Sequence, residues 1–216
     1  MSESLINEAN AGFTLAEAIA EANRCLNCAV PQCKKHCPIS NDIPDWIHEF
    51  ARGNFGNAMS IINAKSNLPA VCGRVCAHER QCEGNCILGK KGAPVRIGKL
   101  ERFLADFDSE MGVSHDRLVP KTRGSVAVIG SGPVGLTVAV ELARHGFEVD
   151  IYEMETSAGG VLMFGIPEYR LPKAVVSREI KKITELGVRI NCGVTIGKDM
   201  TCLLYTSDAA DDRISV

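Results

Sequence analysis

Apolar residues in the first half of the chain recur at the spacing of short amphipathic helices. Thr14 stands three positions before Glu17, which is a capping box for a helix that extends to about Arg24. In "VRIGKLERFLADF" the apolar side chains fall on one helical face, at Ile97, Leu100, Phe103, Leu104 and Phe107. The pattern therefore predicts a small all-α domain in this part of the chain.

Two more helices are predicted between these segments. Pro44 suits the first turn of a helix that runs through Trp46 and Phe50, and Asn54 is placed to cap another that reaches Ile62. Helices this short bury little apolar surface, so the domain needs a staple such as a bound metal for independent stability.

From residue 125 the pattern changes to β-branched runs on either side of a helix. A predicted strand over residues 125–129 leads into a glycine-rich turn, a helix to Arg144, and a second strand from Glu148 to Tyr152 that ends in Glu153. This order predicts a Rossmann-like α/β domain. The polar segment "DFDSEMGVSHDRLVPKTRGS" is the expected linker between the two domains.

Composition narrows the choice of partners and compartment. The chain has 216 residues, a net charge of -2, 45% hydrophobic residues and 23% charged residues. The basic pairs Lys34-Lys35 and Lys90-Lys91 are short, so we expect no nucleic-acid partner. "MSESLINEAN" lacks the features of a secretory signal, and "VAVIGSGPVGLTVAVELA" is interrupted by glycines and a proline. We therefore expect a cytoplasmic protein that does not enter a membrane.

Ten cysteines are many for a protein in the reducing cytoplasm, where metal or redox use is favoured over disulfides. "CLNCAVPQCKKHCP" has the spacing C-x2-C-x4-C-x3-C-P, and "CGRVCAHERQCEGNC" has the spacing C-x3-C-x5-C-x3-C. The two groups contain Cys25, Cys28, Cys33 and Cys37, and then Cys72, Cys76, Cys82 and Cys86.

The spacing favours iron-sulfur ligation over zinc, and zinc over structural or redox thiols. Structural zinc typically uses two close pairs of cysteines, whereas a dense run with a proline after its last cysteine is typical of ferredoxins, in which that cysteine reaches the other cluster. His36 and His78 are interpreted as solvated neighbours of these ligands. Cys192, outside both groups, is interpreted as a small core residue.

The turn after the first predicted strand has the sequence G-x-G-x-x-G. Gly130 permits the tight turn, Gly132 lets the backbone approach a pyrophosphate, and Gly135 allows close packing of helix on strand. Ser131 lies within this turn, and the helix that follows Pro133 offers amides to the pyrophosphate. Because a strand precedes the motif and a helix follows it, a bound dinucleotide is predicted.

Two features bear on which dinucleotide is bound. Glu153 can accept hydrogen bonds from an adenosine ribose, which disfavours the 2'-phosphate of NADP at this site. Gly159-Gly160, followed by Val161 and Leu162, brings a second backbone segment towards a ligand, which favours FAD over NAD, although an ordinary turn is the alternative. Arg170 is a further candidate contact.

Together, "RCLNCAVPQCKKHCP", "LPAVCGRVCAHERQCEGNC", "PVRIGKLERFLAD", "VAVIGSGPVGL" and "GGVLMFGIPEYRLPK" resemble one family of flavoproteins. It comprises the small subunit of NADPH-dependent glutamate synthase, the large subunit of bifurcating ferredoxin-NADP oxidoreductase, and the amino-terminal half of dihydropyrimidine dehydrogenase. The resemblance covers about residues 22–191. It implies two 4Fe-4S clusters, one FAD, and an NADPH-binding domain inserted in the flavin domain.

The resemblance also implies the ligands. One cluster would be held by Cys25, Cys28, Cys33 and Cys86, and the other by Cys37, Cys76, Cys82 and Glu101. Cys72 would be a near neighbour of the second cluster or its fourth ligand in place of Glu101. The flavin contacts implied are Gly130, Ser131, Gly132, Pro133, Gly135, Glu153, Gly160, Val161, Leu162, Arg170 and the backbone near Ile196.

The implied activity is electron transfer from NADPH through FAD and the two clusters to a partner such as the glutamate synthase large subunit. The second glycine motif for NADPH is absent, so we expect a carboxy-terminally truncated fragment that is inactive by itself. Two other interpretations stay open: a zinc-stabilised NAD-binding module, and a ferredoxin-like adaptor that docks through its cysteine domain.

The predicted fold is α+β overall, with a small all-α iron-sulfur domain and a partial α/β Rossmann-like FAD-binding domain. We predict the iron-sulfur domain over 1–108, a linker over 109–124, the FAD-binding domain over 125–201 and a non-native tail over 202–216. The tail is expected because codons for "CLLYTSDAAD" can reproduce a sequencing-library adapter.

Overall fold

A computed structural model describes Glu8 and residues 12–113 and 118–201. The predicted tail, 202–216, and part of the predicted linker lie outside the described residues. The chain divides into two compact units, the first over 1–116 with 167–175 and the second over 117–166 with 176–216. No helix in the described ranges is long and apolar enough to cross a membrane.

The first unit is helical. Its first helix begins with the predicted capping box, because the Thr14 hydroxyl accepts from the Glu17 amide at 3.3 Å and the Glu17 carboxylate accepts from the Thr14 amide at 2.8 Å. The helices are α1 (Leu15–Ala22), α2 (Gln32–Lys35), α3 (Ile43–Ala51), α4 (Phe55–Asn63), α5 (Pro69–Val75) and α6 (Ile97–Met111). Three 3-10 turns lie between α5 and α6, at His78–Arg80, Glu83–Asn85 and Ile87–Lys90.

The core of the first unit is built from α1, α3, α4 and α6. Its largest fully buried side chains include Trp46, Ile47, Phe50, Met59, Ile62, Leu100 and Leu104. The predicted apolar face of α6 therefore packs inward, and Phe103 and Phe107 continue it as aromatic contacts to α3 and α4. Cys82 belongs to this core, and four other cysteines pack against it: Cys25, Cys33, Cys37 and Cys86.

Helices α5 and α6 approach each other closely at Gly73. A Cβ on Gly73 would lie 2.5 Å from the amide nitrogen of Arg102, so only glycine fits there. Beside this crossing, Arg74 pairs with Glu8 at 2.9 Å and with Asp106 at 2.6 Å, and Arg102 pairs with Glu8 at 2.7 Å. The ion pairs hold α5 and α6 in a fixed register. These helices carry Cys72 and Glu101, and Cys76 follows directly after α5.

The second unit contains a parallel sheet with strand order β1-β2-β3. The strands are β1 (Ser125–Ile129), β2 (Glu148–Glu153) and β3 (Arg189–Cys192). The helices are α7 (Pro133–Arg144), α8 (Val161–Phe164) and α9 (Lys173–Glu185), of which α7 connects β1 to β2. In the register, Ile129 is opposite Tyr152 and Glu153 is opposite Cys192. The sheet is thus the predicted strand-turn-helix-strand unit with one further strand.

The end of β3 corrects one prediction. Cys192 was expected in the core, but its side chain is exposed. The strand is held instead by Arg189, whose guanidinium donates to both carboxylate oxygens of Asp150 at 2.7 Å and to Glu148 at 2.5 Å. Both end residues of this four-residue strand, Arg189 and Cys192, are exposed, and only the middle two are half-buried.

Candidate functional site

The first group of thiols lines one cavity. Cys25 and Cys28 lie in the loop after α1, Cys33 lies on α2, and Cys86 begins the 3-10 turn at Ile87–Lys90. The cavity has a volume of about 40 Å³. Apolar side chains supply most of the remaining wall: Leu26, Val30, Ile43, Pro44, Ile47, Ile87, Leu88, Val95 and Ile97.

Burial and mutual repulsion make free thiolates unfavourable in this cavity. Burial, with the charges of Cys25, Cys86 and Cys28, raises the pKa of Cys33 to about 11, although the Lys34 amide opposes the rise. Burial also raises the pKa of Cys25, where the Asn27 amide opposes and Cys28 and Cys86 add to the rise. A site of this kind fits a positively charged iron core, which stabilises the thiolate form of its ligands.

A second set of side chains meets around Cys82, which is buried. Burial, together with the charges of Glu83, Glu101 and Cys37, raises the pKa of Cys82 to about 12. The pKa of Cys76 is lowered by a hydrogen bond from Cys72, against burial and the charges of Glu101, Cys82 and Cys37. The side chains of this second set therefore lie close enough to influence each other's charge, as those of the first set do. The second set consists of Cys37, Cys76, Cys82 and Glu101, and the first of Cys25, Cys28, Cys33 and Cys86.

Cys72 is engaged differently from the other cysteines. It lies on α5 one turn before Cys76, to whose sulfur its thiol is hydrogen-bonded. The buried Ser66 hydroxyl donates to the Cys72 sulfur at 3.7 Å. Cys72 therefore lies beside the second set, and Ser66 is a contact that the spacing of the cysteines did not indicate.

All nine cysteines in the described part of the chain are free thiols. Among the same residues, no three Cys, His, Asp or Glu side chains are arranged to hold a single metal ion.

Two residues beside the second set, Glu83 and His78, have surroundings that the sequence did not predict. Glu83 is buried and accepts from the Gly98 amide at 2.9 Å, with Arg96 3.9 Å away. The His78 ring packs on Gly98, where a Cβ would lie 2.4 Å from the ring, and its Nε2 has no hydrogen-bond partner among the described residues. His78 is half-buried with its Nε2 shielded from water, and burial lowers the pKa of the ring, so this histidine is only partly solvated.

The glycine turn has the geometry that its sequence predicts. Gly130 has a φ of +90° and its amide donates to Tyr152 at 2.8 Å, while Gly132 precedes Pro133 at the start of α7. A Cβ on Gly135 would lie 1.9 Å from the Gly130 carbonyl oxygen. Gly132 faces open space, with no atom within 4 Å of a Cβ placed there. Gly135 is thus required by packing, whereas Gly132 leaves room for a ligand.

Glu153 is buried beneath this turn. Its Oε2 accepts from the Ser131 amide at 2.7 Å and from the Ser131 hydroxyl at 2.5 Å, and its Oε1 accepts from the Glu155 amide at 2.9 Å. Burial acts to raise the pKa of Glu153, but the hydrogen bonds from Glu155, Ser131 and Met154 outweigh it and lower the pKa. The carboxylate is therefore charged and bound to the turn itself.

The second glycine pair approaches the first. Gly160 has a φ of +51°, and a Cβ there would lie 2.9 Å from the Cα of Gly132. The Gly159 amide donates to the Ser131 hydroxyl at 3.0 Å. After the pair, Val161 is exposed and Leu162 is buried. Both glycine segments therefore meet at Ser131 and Gly132, in the turn for which the sequence predicts a bound dinucleotide.

Ile196 and Arg170 are the remaining predicted contacts. Ile196 follows β3 in a turn that bridges to Met200. Arg170 belongs to the first unit, where it lines a cavity of about 290 Å³ with Glu8, Gly73, Arg74, Lys99, Arg102 and Tyr169.

Known families account for both halves of the chain. The family described as dihydropyrimidine dehydrogenase domain II, 4Fe-4S cluster, matches residues 2–113, more than half of the chain. The chain belongs to this family. A second model, the NAD(P)-binding Rossmann-like domain, matches residues 128–172. The predicted fold class, a helical iron-sulfur domain before a Rossmann-like domain, is confirmed, and so is the resemblance on which it rested.

Individual members agree with this assignment. The glutamate synthase [NADPH] small chain of Azospirillum brasilense is 40% identical over 195 residues, which is 89% of this chain and 40% of that protein. The NAD-dependent dihydropyrimidine dehydrogenase subunit PreT of Escherichia coli O157:H7 is 40% identical over 199 residues, which is 92% of this chain and 48% of that protein. The chain thus spans less than half the length of these relatives.

Proposed function

We propose that this chain forms the cluster-holding and dinucleotide-binding part of an electron-transfer flavoprotein. The complete oxidoreductase would take electrons from NADPH and deliver them, by way of FAD and two 4Fe-4S clusters, to a redox partner such as the glutamate synthase large subunit. The grouping of side chains into two separate sets of four supports this proposal most strongly. Each set has the number of ligands that one 4Fe-4S cluster requires.

The first cluster would be held by Cys25, Cys28, Cys33 and Cys86. Their sulfurs share an apolar cavity, and the amides of Asn27 and Lys34 donate to two of them. Such amides stabilise sulfur ligands and adjust the potential of a cluster, while apolar walls keep water away. A 4Fe-4S cluster supplies one-electron chemistry, and the role of these residues is to hold and tune it.

The second cluster would be held by Cys37, Cys76, Cys82 and Glu101. The charge of Glu101 acts on both Cys76 and Cys82, so the carboxylate is near two of the three sulfurs. Cys72 already accepts from Ser66 and is hydrogen-bonded to Cys76. These contacts favour Glu101 as the fourth ligand and Cys72 as a supporting neighbour.

The glycine turn would bind the adenosine diphosphate part of FAD. Gly132 and the amides that follow Pro133 would face the pyrophosphate. Glu153 keeps Ser131 and the turn in place, and this suggests that its carboxylate positions the turn as well as contacting the ribose. Val161 and Leu162 would follow along the flavin, with Arg170 and the backbone near Ile196 as further contacts.

The family match over 128–172 favours a second candidate for this turn, a nicotinamide dinucleotide in place of FAD. Both ligands share the adenosine diphosphate half, so the turn by itself fits either. Extraction of the bound cofactor from purified protein separates them, because released flavin absorbs visible light and fluoresces, whereas a nicotinamide dinucleotide, oxidised or reduced, absorbs only in the ultraviolet.

The variant Cys33→Ser tests the ligand assignment. The control is Cys192→Ser, which removes the exposed thiol at the end of β3. After anaerobic purification, Cys33→Ser should lose the iron of one cluster and lower the stability of the first unit. Cys192→Ser should keep the iron content of the unchanged chain. Equal iron in both variants would refute the assignment of Cys33.

A further inference from the structure

Exposed apolar side chains cover the cavity of the first thiol group. Leu26 is 62% exposed, Val30 59% and Ile87 46%, yet each also lines the cavity with Cys25, Cys28, Cys33 and Cys86. The four cysteines are themselves only half-buried, so the proposed first cluster would lie close to the surface. Large apolar residues that share one face and remain exposed are typical of a protein-protein contact.

The chain around this face is positively charged. Residues 24–41 and 84–100 contain seven Lys and Arg residues and no Asp or Glu, although the whole chain has 24 basic and 26 acidic residues. The two segments are joined in space, because the Arg24 guanidinium donates to the carbonyls of Ala93 at 2.5 Å and Pro94 at 3.3 Å. The cavity likewise brings Gln32 and Cys33 of the first segment together with Cys86 and Ile87 of the second, so both basic segments border the same cavity.

Three exposed cations of these segments have no ion pair among the described residues. Arg24 pairs with Glu21, Lys34 with Asp42, and Arg96 lies near Glu83. By contrast, the ion pairs of the described ranges include no carboxylate for the exposed Lys35, Lys90 or Lys91. Lys35 ends α2, whose Gln32 and Cys33 line the cavity, and Lys90 ends the turn that begins at Ile87.

We propose that an acidic redox protein docks on this surface, an inference that rests on the proposed function. The docking surface consists of Leu26, Val30, Ile87, Lys35, Lys90 and Lys91. The partner protein would present an apolar patch surrounded by carboxylates. Charge complementarity would steer the encounter and set its orientation, while burial of the three apolar side chains would exclude water next to the first thiol group.

Calorimetry of the cluster-loaded chain with an acidic flavodoxin as probe tests this surface. Binding should weaken about tenfold between about 20 mM and about 200 mM NaCl, because salt screens exposed charges. Ile87→Ser should weaken binding at both salt concentrations, because it removes apolar contact without changing charge.

Charge reversal supplies the matched comparison. The test variant replaces three lysines by glutamate on the docking surface, at Lys35, Lys90 and Lys91. The control makes the same change at exposed lysines elsewhere, at Lys65, Lys181 and Lys198. At low salt the test variant should bind about tenfold more weakly than the control. Equal affinity of the two variants would overturn the docking surface, and so would equally tight binding of the cationic cytochrome c.

The visible absorption of every variant is recorded before titration. If absorption is unchanged and the test variant binds like the control, the docking surface is refuted and the proposed function stands. If the unchanged chain carries no iron, the proposed function is refuted and this inference with it. If light scattering shows that two copies of the chain pair through this surface, and the test variant separates them, the surface belongs to a homodimer and the redox-partner proposal is overturned.

Discussion

Glu153 accepts two hydrogen bonds from Ser131, one from its amide at 2.7 Å and one from its hydroxyl at 2.5 Å. The two residues are 22 positions apart in the chain, at the ends of β2 and β1. The same hydroxyl accepts from the Gly159 amide at 3.0 Å. Ser131 and Glu153 thus join the two glycine segments into one framework.

Removing the hydroxyl should loosen this framework. Ser131→Ala leaves the amide contact to Glu153 but deprives the Gly159 amide of its acceptor, so we expect a loss of about 1 kcal/mol in unfolding free energy. Ser177→Ala, on the exposed side of α9, is the control and should change stability little. Denaturant unfolding at neutral pH makes the comparison, and equal stability of the two variants would contradict the prediction.

The charge of Glu153 gives a prediction about pH. Because its pKa is lowered in the folded chain, its ionised form adds stability that is complete above the unfolded pKa, about 4.3, and is lost as the pH falls through the folded value. Glu153→Gln should therefore be less stable than the unchanged chain at neutral pH, and the difference should shrink below about pH 4.

Thermal unfolding from about pH 7 to about pH 3 measures this difference, within the range where the unchanged chain folds reversibly. Glu185→Gln, an exposed position on α9, serves as the control. A constant gap between Glu153→Gln and the unchanged chain across this range would rule out the assigned role of the charge.

Two glycines of the turn should respond differently to alanine. Gly135→Ala places a Cβ against the Gly130 carbonyl, so we expect about 1–3 kcal/mol of destabilisation from overpacking. Gly132→Ala meets no atom of the chain and should fold with nearly unchanged stability. It should instead weaken binding of ADP, the probe shared by FAD and NAD. Unfolding curves and ADP titrations of both variants measure these two effects. A loss of stability in Gly132→Ala alone would contradict the prediction.

The fourth ligand of the second cluster can be decided with two variants. Glu101→Gln should lose one cluster or alter its EPR signal after reduction, because the amide replaces an anionic oxygen ligand. Cys72→Ser should retain both clusters. Glu110→Gln, exposed on the same helix as Glu101, is the control. The opposite outcome, loss of iron in Cys72→Ser and none in Glu101→Gln, would make Cys72 the ligand.

Local rules predicted much of the fold. Three predicted features depend only on neighbours within a few positions, and the structure has each of them. They are the capping box of Thr14 and Glu17, Pro44 in the first turn of α3, and the first strand over residues 125–129. Asn54 precedes α4 as predicted, but its side chain donates to Glu49 at 3.0 Å, since a carboxylate from the preceding helix lies within reach.

Contacts between distant residues could not be predicted in the same way. The spacing showed two runs of four cysteines and the ferredoxin pattern in which the last cysteine of a run reaches the other cluster, but only the resemblance assigned Cys86 to the first set. The packing of the His78 ring and the hydrogen bond of the buried Glu83 both involve Gly98, which is 15 or more positions away in the chain. The bond of Glu153 to Ser131 likewise requires the register of β1 against β2. Cys192 was misplaced because exposure at a sheet edge depends on what packs beyond it.

The central claim is that the chain holds two 4Fe-4S clusters in two sets of four ligands. Its most direct test is the iron, acid-labile sulfide and zinc content of the anaerobically purified chain, measured together with its visible absorption. We predict iron and sulfide at the content of two 4Fe-4S clusters per chain, with a broad absorption that bleaches on reduction. A colourless protein with stoichiometric zinc and no sulfide would contradict the claim.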